Sequence, residues 1–269
     1  MKLAANLSWL YTELDFLARI EACAEDGFRH AECMFPYDYS AELLRDKAGE
    51  AGVQWVLINA PAGNWINGDR GLAVEPARRD EFKRSIEQAV RYAATLGVRK
   101  VHVLAGVVDL SDARAVQSAR ACYAENLNWL ASSMRDEPVD WLIEPINRVD
   151  VPGYLLSHQA DAHDLLIDLN QVNLGVQMDL YHVERTEGNA LDALGRYLPT
   201  GRVKHLQIAG VPDRDEPDES VYSGIHAKLK TLNYNGHIGC EYRPKAGTRD
   251  GLGWIRSTGF SGTMESFET

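Results

Sequence analysis

The chain has 269 residues and a mass of 30.0 kDa, with 45% hydrophobic and 25% charged residues, so it can bury a large core without a disulfide or structural metal. Its 39 acidic residues outnumber its 28 basic residues and give a net charge of −11. Such a surface repels phosphate backbones, which argues against a nucleic-acid partner and requires any site for an anionic substrate to be local.

The cysteines and the amino-terminal segment indicate a compartment. Cys23, Cys33, Cys122 and Cys240 are scattered and form no CxxC pair, which is typical of buried thiols in a reducing environment. Polar residues interrupt the segment MKLAANLSWLYTEL, so it does not resemble a secretory signal, and no stretch approaches the roughly 18 apolar residues of a membrane span. We therefore expect a soluble cytoplasmic protein that makes no membrane contact.

Short apolar segments predict β-strands, and segments with helical periodicity separate them. In chain order the predicted strands are Leu3–Trp9, Arg29–Phe35, Val53–Asn59, Lys100–Ala105, Asp140–Pro145, Leu174–Asp179, Val203–Ile208 and His237–Tyr242. Local signals predict helix boundaries: a capping box at Thr12 and Asp15, N-caps at Ser40, Ser111 and Ser157, and helix-ending glycines at Gly27, Gly52, Gly97, Gly201 and Gly236.

Strict alternation of strands and helices predicts an α/β protein with a parallel sheet, and eight repeats in a chain of this length predict one closed (β/α)8 TIM barrel. A doubly wound open sheet is the alternative, but the sequence has no GxGxxG after the first strand and no GxxxxGK[ST]. We assign residues 1–255 to a barrel-shaped catalytic domain. Residues 256–269 form a C-terminal tail, predicted to be loosely ordered or to dock a partner.

The later strands each end in a polar residue, namely Glu144, Asp179, Gln207 and Glu241. These residues are separated by 35, 28 and 34 positions, close to the roughly 31 residues of one barrel repeat, so they should surround the barrel mouth together. Taken singly, each carboxylate also fits a solvated loop or a helix cap. Together, the three carboxylates would repel one another strongly without a cation. With the amide oxygen they form an all-oxygen set, which favours Mg²⁺ or Mn²⁺ over zinc.

Further polar side chains are candidates for contacting a substrate. His182 follows the sixth strand and either reaches a substrate or packs against the next helix. Arg214 either holds a substrate carboxylate in a bidentate fork or forms a salt bridge with a neighbouring acid. His102 and Asn59 line the mouth or are core polar residues, and nearby aromatic residues wall the pocket or belong to the core.

Several segments carry a resemblance to the hydroxypyruvate isomerase family of the xylose isomerase-like barrels. The most specific are ECMFPYDY, NAPAGNW with GDRGLA, LIEPIN with VPGY, VQMDLYH, HLQIAGVPDRDEPD, and IGCEYRP with GLGW. The resemblance runs from AANLSWL to about Trp254. It implies that Glu144 and Glu241 form an acid/base pair, that they surround a metal together with Asp179 and Gln207, and, by analogy with related epimerases, that His182 and Arg214 contact the substrate.

The resemblance implies metal-assisted interconversion of hydroxypyruvate and tartronate semialdehyde through an enediolate, so the expected partner is a small hydroxy-keto acid. The alternatives are a 2-oxo-tetronate isomerase and a ketose 3-epimerase. An endonuclease of the same superfamily would need a zinc-binding histidine cluster and a basic face.

The segment Glu219–Tyr222 departs from the family pattern at Val221, which leaves the substrate open. Homo-oligomers are common among such enzymes, but the sequence indicates no interface.

Overall fold

The computed structural model describes residues 1–260, in which eight parallel strands close into a barrel in the order of the chain. The strands are β1 (Lys2–Asn6), β2 (His30–Cys33), β3 (Gln54–Asn59), β4 (Lys100–His102), β5 (Asp140–Ile143), β6 (Leu174–Asp179), β7 (Val203–Ile208) and β8 (His237–Cys240). The barrel closes where β1 pairs with β8, with Leu3 opposite Ile238. The predicted fold is confirmed and each predicted strand is present, but β1 ends at Asn6 rather than Trp9 and β4 at His102 rather than Ala105.

Helices cover the outside of the barrel. The α-helices are α1 (Phe16–Glu25), α2 (Ala41–Ala51), α3 (Arg79–Leu96), α4 (Ala113–Ser133), α5 (Gln159–Leu169), α6 (Leu180–Thr186), α7 (Ala190–Tyr197), α8 (Glu219–Thr231) and α9 (Trp254–Ser257). Short 3₁₀ turns lie at Trp65–Asn67, Pro76–Arg78, Leu198–Thr200 and Arg249–Gly253. The main apolar core lies between strands and helices, with residues such as Phe28, Phe82 and Trp141 fully buried.

The predicted helix starts are right only in part. Ser40 caps α2, since its side chain accepts a hydrogen bond from Leu43 N. The cap of α4 is Asp112 rather than Ser111, because the Asp112 carboxylate reaches two backbone N–H groups of the first turn. The predictions at Thr12 and Ser157 are wrong: α1 begins after Asp15 and α5 after His158, and neither of these residues makes a side-chain cap.

Helix ends follow the glycine rule at most of the predicted positions. Gly52 and Gly97 have φ of 68° and 71°, the left-handed conformation that a residue with a Cβ adopts only at a cost. Gly236 is the exception. After α8 it is Asn233, with φ of 53°, that takes the left-handed conformation, which short polar side chains tolerate.

The C-terminal boundary remains a prediction. Within the described part of the tail, Phe260 is fully buried and packs 5.9 Å from Trp254 and 4.8 Å from His226, measured between ring centroids. Residues 261–269 of the predicted tail lie outside the described residues. Over residues 1–260, none of the helices is both long and apolar enough to cross a membrane.

A buried histidine between two outer helices makes the stability of the fold depend on pH. His163 on α5 stacks on Tyr197 of α7, with ring centroids 4.3 Å apart, and neither ring nitrogen has a hydrogen-bond partner among residues 1–260. Burial, assisted by the charge of Arg202, lowers the pKa of His163 from 6.5 to about 4. Its stabilising contribution is therefore complete above pH 6.5 and is lost as the pH falls towards 4.

We predict that His163→Phe, which keeps the aromatic stack, reduces the loss of unfolding free energy between pH 7 and pH 5 by about 1 kcal/mol relative to the unsubstituted protein. Urea unfolding at the two pH values measures this difference. His158→Phe, at an exposed position, is the matched control and should leave the pH dependence unchanged. An equal loss of stability in the His163 variant and the unsubstituted protein would contradict the assignment.

Candidate active site

The carboxyl ends of the later strands bring three buried carboxylates to the barrel mouth. Glu144 directly follows β5, Asp179 ends β6 and Glu241 directly follows β8. Single atoms of Glu144, Asp179 and His182 lie within 4.8 Å of one another. Glu241 joins the group through Arg214, whose Nη2 lies 2.8 Å from Asp179 Oδ2 and 2.9 Å from Glu241 Oε2. The structure therefore brings together the three predicted carboxylates.

Arg214 serves as the internal counter-ion of this carboxylate cluster. Its guanidinium lies between the rings of Trp9 and Tyr181, at 4.9 and 4.6 Å from their centroids, where cation–π attraction holds it. The backbone of Arg214 has φ of 56°, which only this fixed environment makes tolerable for a residue with a long side chain. Arg214 therefore does not form the alternative salt bridge with an acid next to it in the chain. Of those acids, Asp215 pairs with Lys245 instead.

Burial and mutual repulsion set the protonation of the cluster. The pKa of Glu144 is raised well above its usual value, first by loss of solvent and then by the charges of Glu241 and Asp179. Burial raises the pKa of Glu241 to about 8, although Arg214 opposes the shift. Burial disfavours the charged form of Arg214, but Asp179, Glu241 and Glu144 outweigh this effect and raise its pKa. When all three carboxylates are ionised, one guanidinium faces three negative charges and negative charge is in excess, so the cluster either keeps protons or takes up a cation.

This excess charge fits a metal ion. Glu144 Oε1 is buried and has no hydrogen-bond partner within the described chain. A buried carboxylate oxygen without a donor is costly unless a cation or a donor from a ligand satisfies it. Glu144 and Asp179, together with the nearby Glu241, therefore make a buried cluster that can hold a metal ion.

His182 belongs to the same cluster, but its Nε2, the nitrogen that faces the carboxylates, carries the proton and so cannot bind a metal ion. Asn147 Nδ2 lies 2.7 Å from His182 Nδ1, and Asn147 N lies 3.5 Å from it. The amide orientation is fixed, because Asn147 Oδ1 accepts hydrogen bonds from Val149 N and Asp150 N. Nδ1 is therefore an acceptor, and burial lowers the pKa of His182 so that the ring stays neutral. Arg214 Nη1, also a donor, lies 3.3 Å from Nε2, but the contact of Asn147 with Nδ1 is shorter and decides the tautomer. Nε2 then carries the proton, and we interpret His182 as a hydrogen-bond donor rather than a metal ligand.

Gln207 lies on β7 beside Asp179, but its amide is engaged elsewhere. Its Nε2 donates to Glu32 Oε1 at 2.7 Å, and its Oε1 accepts from Gln177 Nε2 at 2.7 Å. To bind a metal through its oxygen, Gln207 would have to exchange Gln177 for the ion. The predicted set of four therefore divides in this structure into three clustered carboxylates and an amide that belongs to a neighbouring network.

The sequence analysis missed Glu32, which organises that network. Glu32 on β2 is completely buried and accepts hydrogen bonds from Asn6 and Gln207, while His205 Nε2 lies 2.6 Å from its Oε2. A Cβ on Gly239 of β8 would lie 2.2 Å from Glu32 Oε1, so the barrel interior has space for this carboxylate only because residue 239 is glycine. The signal was present in the sequence, since Glu32 interrupts an apolar strand just as Glu144 ends one.

A cavity of about 200 Å³ opens onto the cluster. Glu144 and Glu241 line it, as do the predicted contacts His102, Asn59, His182 and Arg214, whereas Asp179 and Gln207 do not. His102 Nε2 lies 3.4 Å from Glu144 Oε2, and burial lowers the pKa of His102 to about 3, so its ring is neutral. The volume corresponds to roughly seven waters at liquid density, which suits a small polar molecule.

The segment that departs from the family pattern does not line this cavity. Glu219, Val221 and Tyr222 form the start of α8, and Val221 is 45% exposed. Tyr222 is buried and donates a hydrogen bond to the carbonyl of Ala209, just after β7, at 2.7 Å. The segment therefore holds the loop that carries Arg214 and affects the site indirectly.

Comparison with known proteins agrees with the fold. The model of the xylose isomerase-like TIM barrel family matches residues 20–258, and the chain belongs to this family. It is 43% identical to the 2-oxo-tetronate isomerase of Cupriavidus necator, covering 95% of this chain and 97% of that one. It is 38% identical to the hydroxypyruvate isomerase of Escherichia coli, covering 95% and 98%. These relatives confirm the resemblance predicted from the sequence.

Solved structures give the same architecture. A Brucella melitensis protein described as an AP endonuclease of family 2 superposes with a TM-score of 0.88 at 34% identity, covering 95% of this chain and 98% of that one. The D-psicose 3-epimerase of Clostridium cellulolyticum superposes with a TM-score of 0.74 at 19% identity, covering 97% and 92%, which shows a shared fold alone.

The assignment of His182 as a donor predicts different metal affinities for two variants. Asp179→Asn keeps the hydrogen bond to Tyr181 N but removes a charge, and we expect it to weaken Mn²⁺ binding at least about tenfold. His182→Gln should leave Mn²⁺ affinity within about threefold, because a protonated Nε2 offers no lone pair. Titration calorimetry on the metal-stripped protein measures both. Equal losses in the two variants would make His182 a ligand.

Proposed function

We propose that the chain is a metal-assisted isomerase that interconverts hydroxypyruvate and tartronate semialdehyde. The observation that carries the proposal is the pair Glu144 and Glu241, two buried carboxylates with raised pKa that line the same small cavity. Isomerisation requires a base to remove a proton from one carbon and an acid to return a proton to its neighbour, and carboxyl groups with raised pKa values suit both tasks near neutral pH.

The second candidate substrate is a 2-oxo-tetronate, a four-carbon sugar acid. The Cupriavidus necator relative, at 43% identity, carries that name, and the hydroxypyruvate isomerase of Escherichia coli is 38% identical. Both candidates are hydroxy-keto acids, and the reaction at the two glutamates is the same. A ketose 3-epimerase receives support from the fold alone, and an endonuclease would require zinc-binding histidines, of which the candidate cluster within residues 1–260 contains one.

We propose Glu144, Asp179 and Glu241 as metal ligands, with Gln207 as a fourth if its amide exchanges Gln177 for the ion. Carboxylate and amide oxygens favour Mg²⁺ or Mn²⁺. When bound, such an ion supplies Lewis-acid polarisation of the carbonyl and stabilises the negative charge that develops on oxygen. The four buried free cysteines support a reducing environment, and we propose the cytoplasm as the site of action.

The side chains of the chain perform the proton transfers. One glutamate removes a proton from the hydroxyl-bearing C3 of hydroxypyruvate, and the other delivers a proton to C2, while the C3 hydroxyl loses its proton and the C2 oxygen gains one. His182 Nε2–H points at the carboxylate cluster, 3.6 Å from Asp179 Oδ2, and can donate a hydrogen bond to a substrate oxygen there. Trp9 and Trp65 wall the cavity and limit the water that could compete for these protons.

Removal of either carboxylate should abolish most of the activity. We expect Glu144→Gln and Glu241→Gln each to lower kcat by about 10³-fold or more with circular dichroism unchanged, because glutamine cannot exchange a proton in this pH range. Glu87→Gln, on the exposed face of α3, is the matched control. Turnover that persists in both cavity variants would remove the basis of the proposal.

Solvent isotope incorporation tests the proton-transfer route against a metal-mediated hydride shift. In D₂O, transfer through a glutamate that exchanges with solvent should place deuterium at C2 of tartronate semialdehyde, which NMR detects. The same assay, run with hydroxypyruvate and both 2-oxo-tetronate enantiomers on metal-reloaded protein, ranks the substrates by kcat/KM. Products without deuterium argue for a hydride shift, and epimerised products with an unmoved carbonyl argue for an epimerase.

A further inference from the structure

We propose that Arg70 binds the substrate carboxylate and restricts this site to hydroxy-keto acids. The inference rests on the proposed function, because it concerns the same cavity and the same substrate class. It starts from a charge problem: Glu144 and Glu241 line the reacting end of the cavity, the chain as a whole carries −11, and the proposed substrate is itself an anion. Even with an ion and Arg214 at the cluster, a cation at the other end of the cavity would hold the substrate carboxylate away from these charges.

Arg214 is not free to provide that cation. Its Nη2 already bonds both Asp179 and Glu241, at 2.8 and 2.9 Å. If Arg214 turned towards a substrate carboxylate, two buried protein carboxylates would lose their counter-ion. Arg70 is the other guanidinium that lines the cavity, and the histidines there are neutral.

Arg70 has a preformed orientation and an unused edge. Its guanidinium stacks 4.0 Å from the ring centroid of Trp65, and its Nη1 donates to the carbonyls of Trp65 and Asp69. Its Nε and Nη2 have no hydrogen-bond partner in the described part of the chain. The neighbouring carboxylate of Asp69 is hydrogen-bonded to Arg78 at 2.7 Å, which is the main cause of its lowered pKa, and the charge of Arg70 contributes less. Arg70 therefore presents a positive charge and two donors without a protein acid to receive them.

The loop that carries Arg70 is fixed to the barrel. Gly71 has φ of 127°, and a Cβ there would lie 2.4 Å from the carbonyl oxygen of Leu104, so the loop backbone packs directly against the segment after β4. Gly71 N also donates to the carbonyl of Ala62. These contacts hold Arg70 without help from a ligand, and little conformational entropy is lost when it binds one.

The topology places Arg70 across the mouth from Arg214. Arg70 follows β3 and Arg214 follows β7, which are four strands apart in a closed barrel of eight. The carboxylate cluster comes from β5, β6 and β8 on the Arg214 side. A small substrate whose carbonyl and hydroxyl face this cluster therefore extends its far end towards β3, where a planar guanidinium can hold a carboxylate in a bidentate pair.

Replacement of Arg70 separates binding of the carboxylate from the chemistry. We expect Arg70→Gln to raise KM for hydroxypyruvate about 30- to 100-fold with kcat changed less than about threefold, since the lost ion pair acts on the whole bound anion. Arg70→Lys keeps the charge without the fork and should recover part of the loss. Arg91→Gln, an exposed arginine on α3, is the matched control and should behave as the unsubstituted protein.

A binding measurement keeps this test independent of turnover. Pyruvate has the carboxylate and the ketone but lacks the hydroxyl needed for isomerisation, and hydroxyacetone lacks the carboxylate. NMR titration of each into the protein should show that Arg70→Gln weakens pyruvate binding and leaves hydroxyacetone binding unchanged. Equal weakening of both ligands, or of neither, would overturn the role of Arg70.

The two proposals fail in different ways. If the unsubstituted protein isomerises hydroxypyruvate and Arg70→Gln has the same KM, the role of Arg70 is overturned and the proposed function stands. If the unsubstituted protein turns over no hydroxy-keto acid, the proposed function fails, and the pyruvate titration alone then supports or overturns an anion site at Arg70.

Discussion

The compensation of buried negative charge is the constraint on which the candidate site depends. Glu144, Asp179 and Glu241 come from three strands whose carboxyl ends meet at one end of the barrel, and all three are buried. Carboxylates so placed must share a cation, gain protons or accept hydrogen bonds. Arg214 supplies the cation, and the raised pKa of Glu144 favours its protonated form. One oxygen of Glu144 still has no hydrogen-bond partner among the described residues.

This constraint explains why the neighbouring polar residues have such fixed orientations. Asn147 sets the tautomer of His182 through an amide that is itself held by two backbone N–H groups. Glu32 sets the orientation of the Gln207 amide by accepting a hydrogen bond from its Nε2. In both cases a residue away from the cavity determines which atom the functional side chain presents, so the chemistry of the site is decided by hydrogen bonds one layer behind it.

The architecture was predictable because it is encoded locally and repeats. Each strand is a short apolar run after a helix, and the barrel places all strand ends at one mouth, so Glu144 and Asp179 could be brought together by counting repeats. The hydrogen-bond and ion-pair partners of the site residues are not encoded locally. Arg214 was expected to pair with a nearby acid or a substrate, yet its partners come from β6 and β8, and Gln207 is engaged by Glu32 from β2. Such contacts depend on barrel closure and on side-chain reach.

The ion pairs of Arg214 also affect the order in which the chain can fold and bind an ion. Because the guanidinium already neutralises part of the cluster, the chain does not need an ion to relieve the repulsion during folding, unlike small metal domains whose ligands have no internal counter-ion. An ion that binds at the cluster then adds a second cation beside Arg214, which keeps its pairs with Asp179 and Glu241. The barrel can therefore be completed before any ion binds at the cluster.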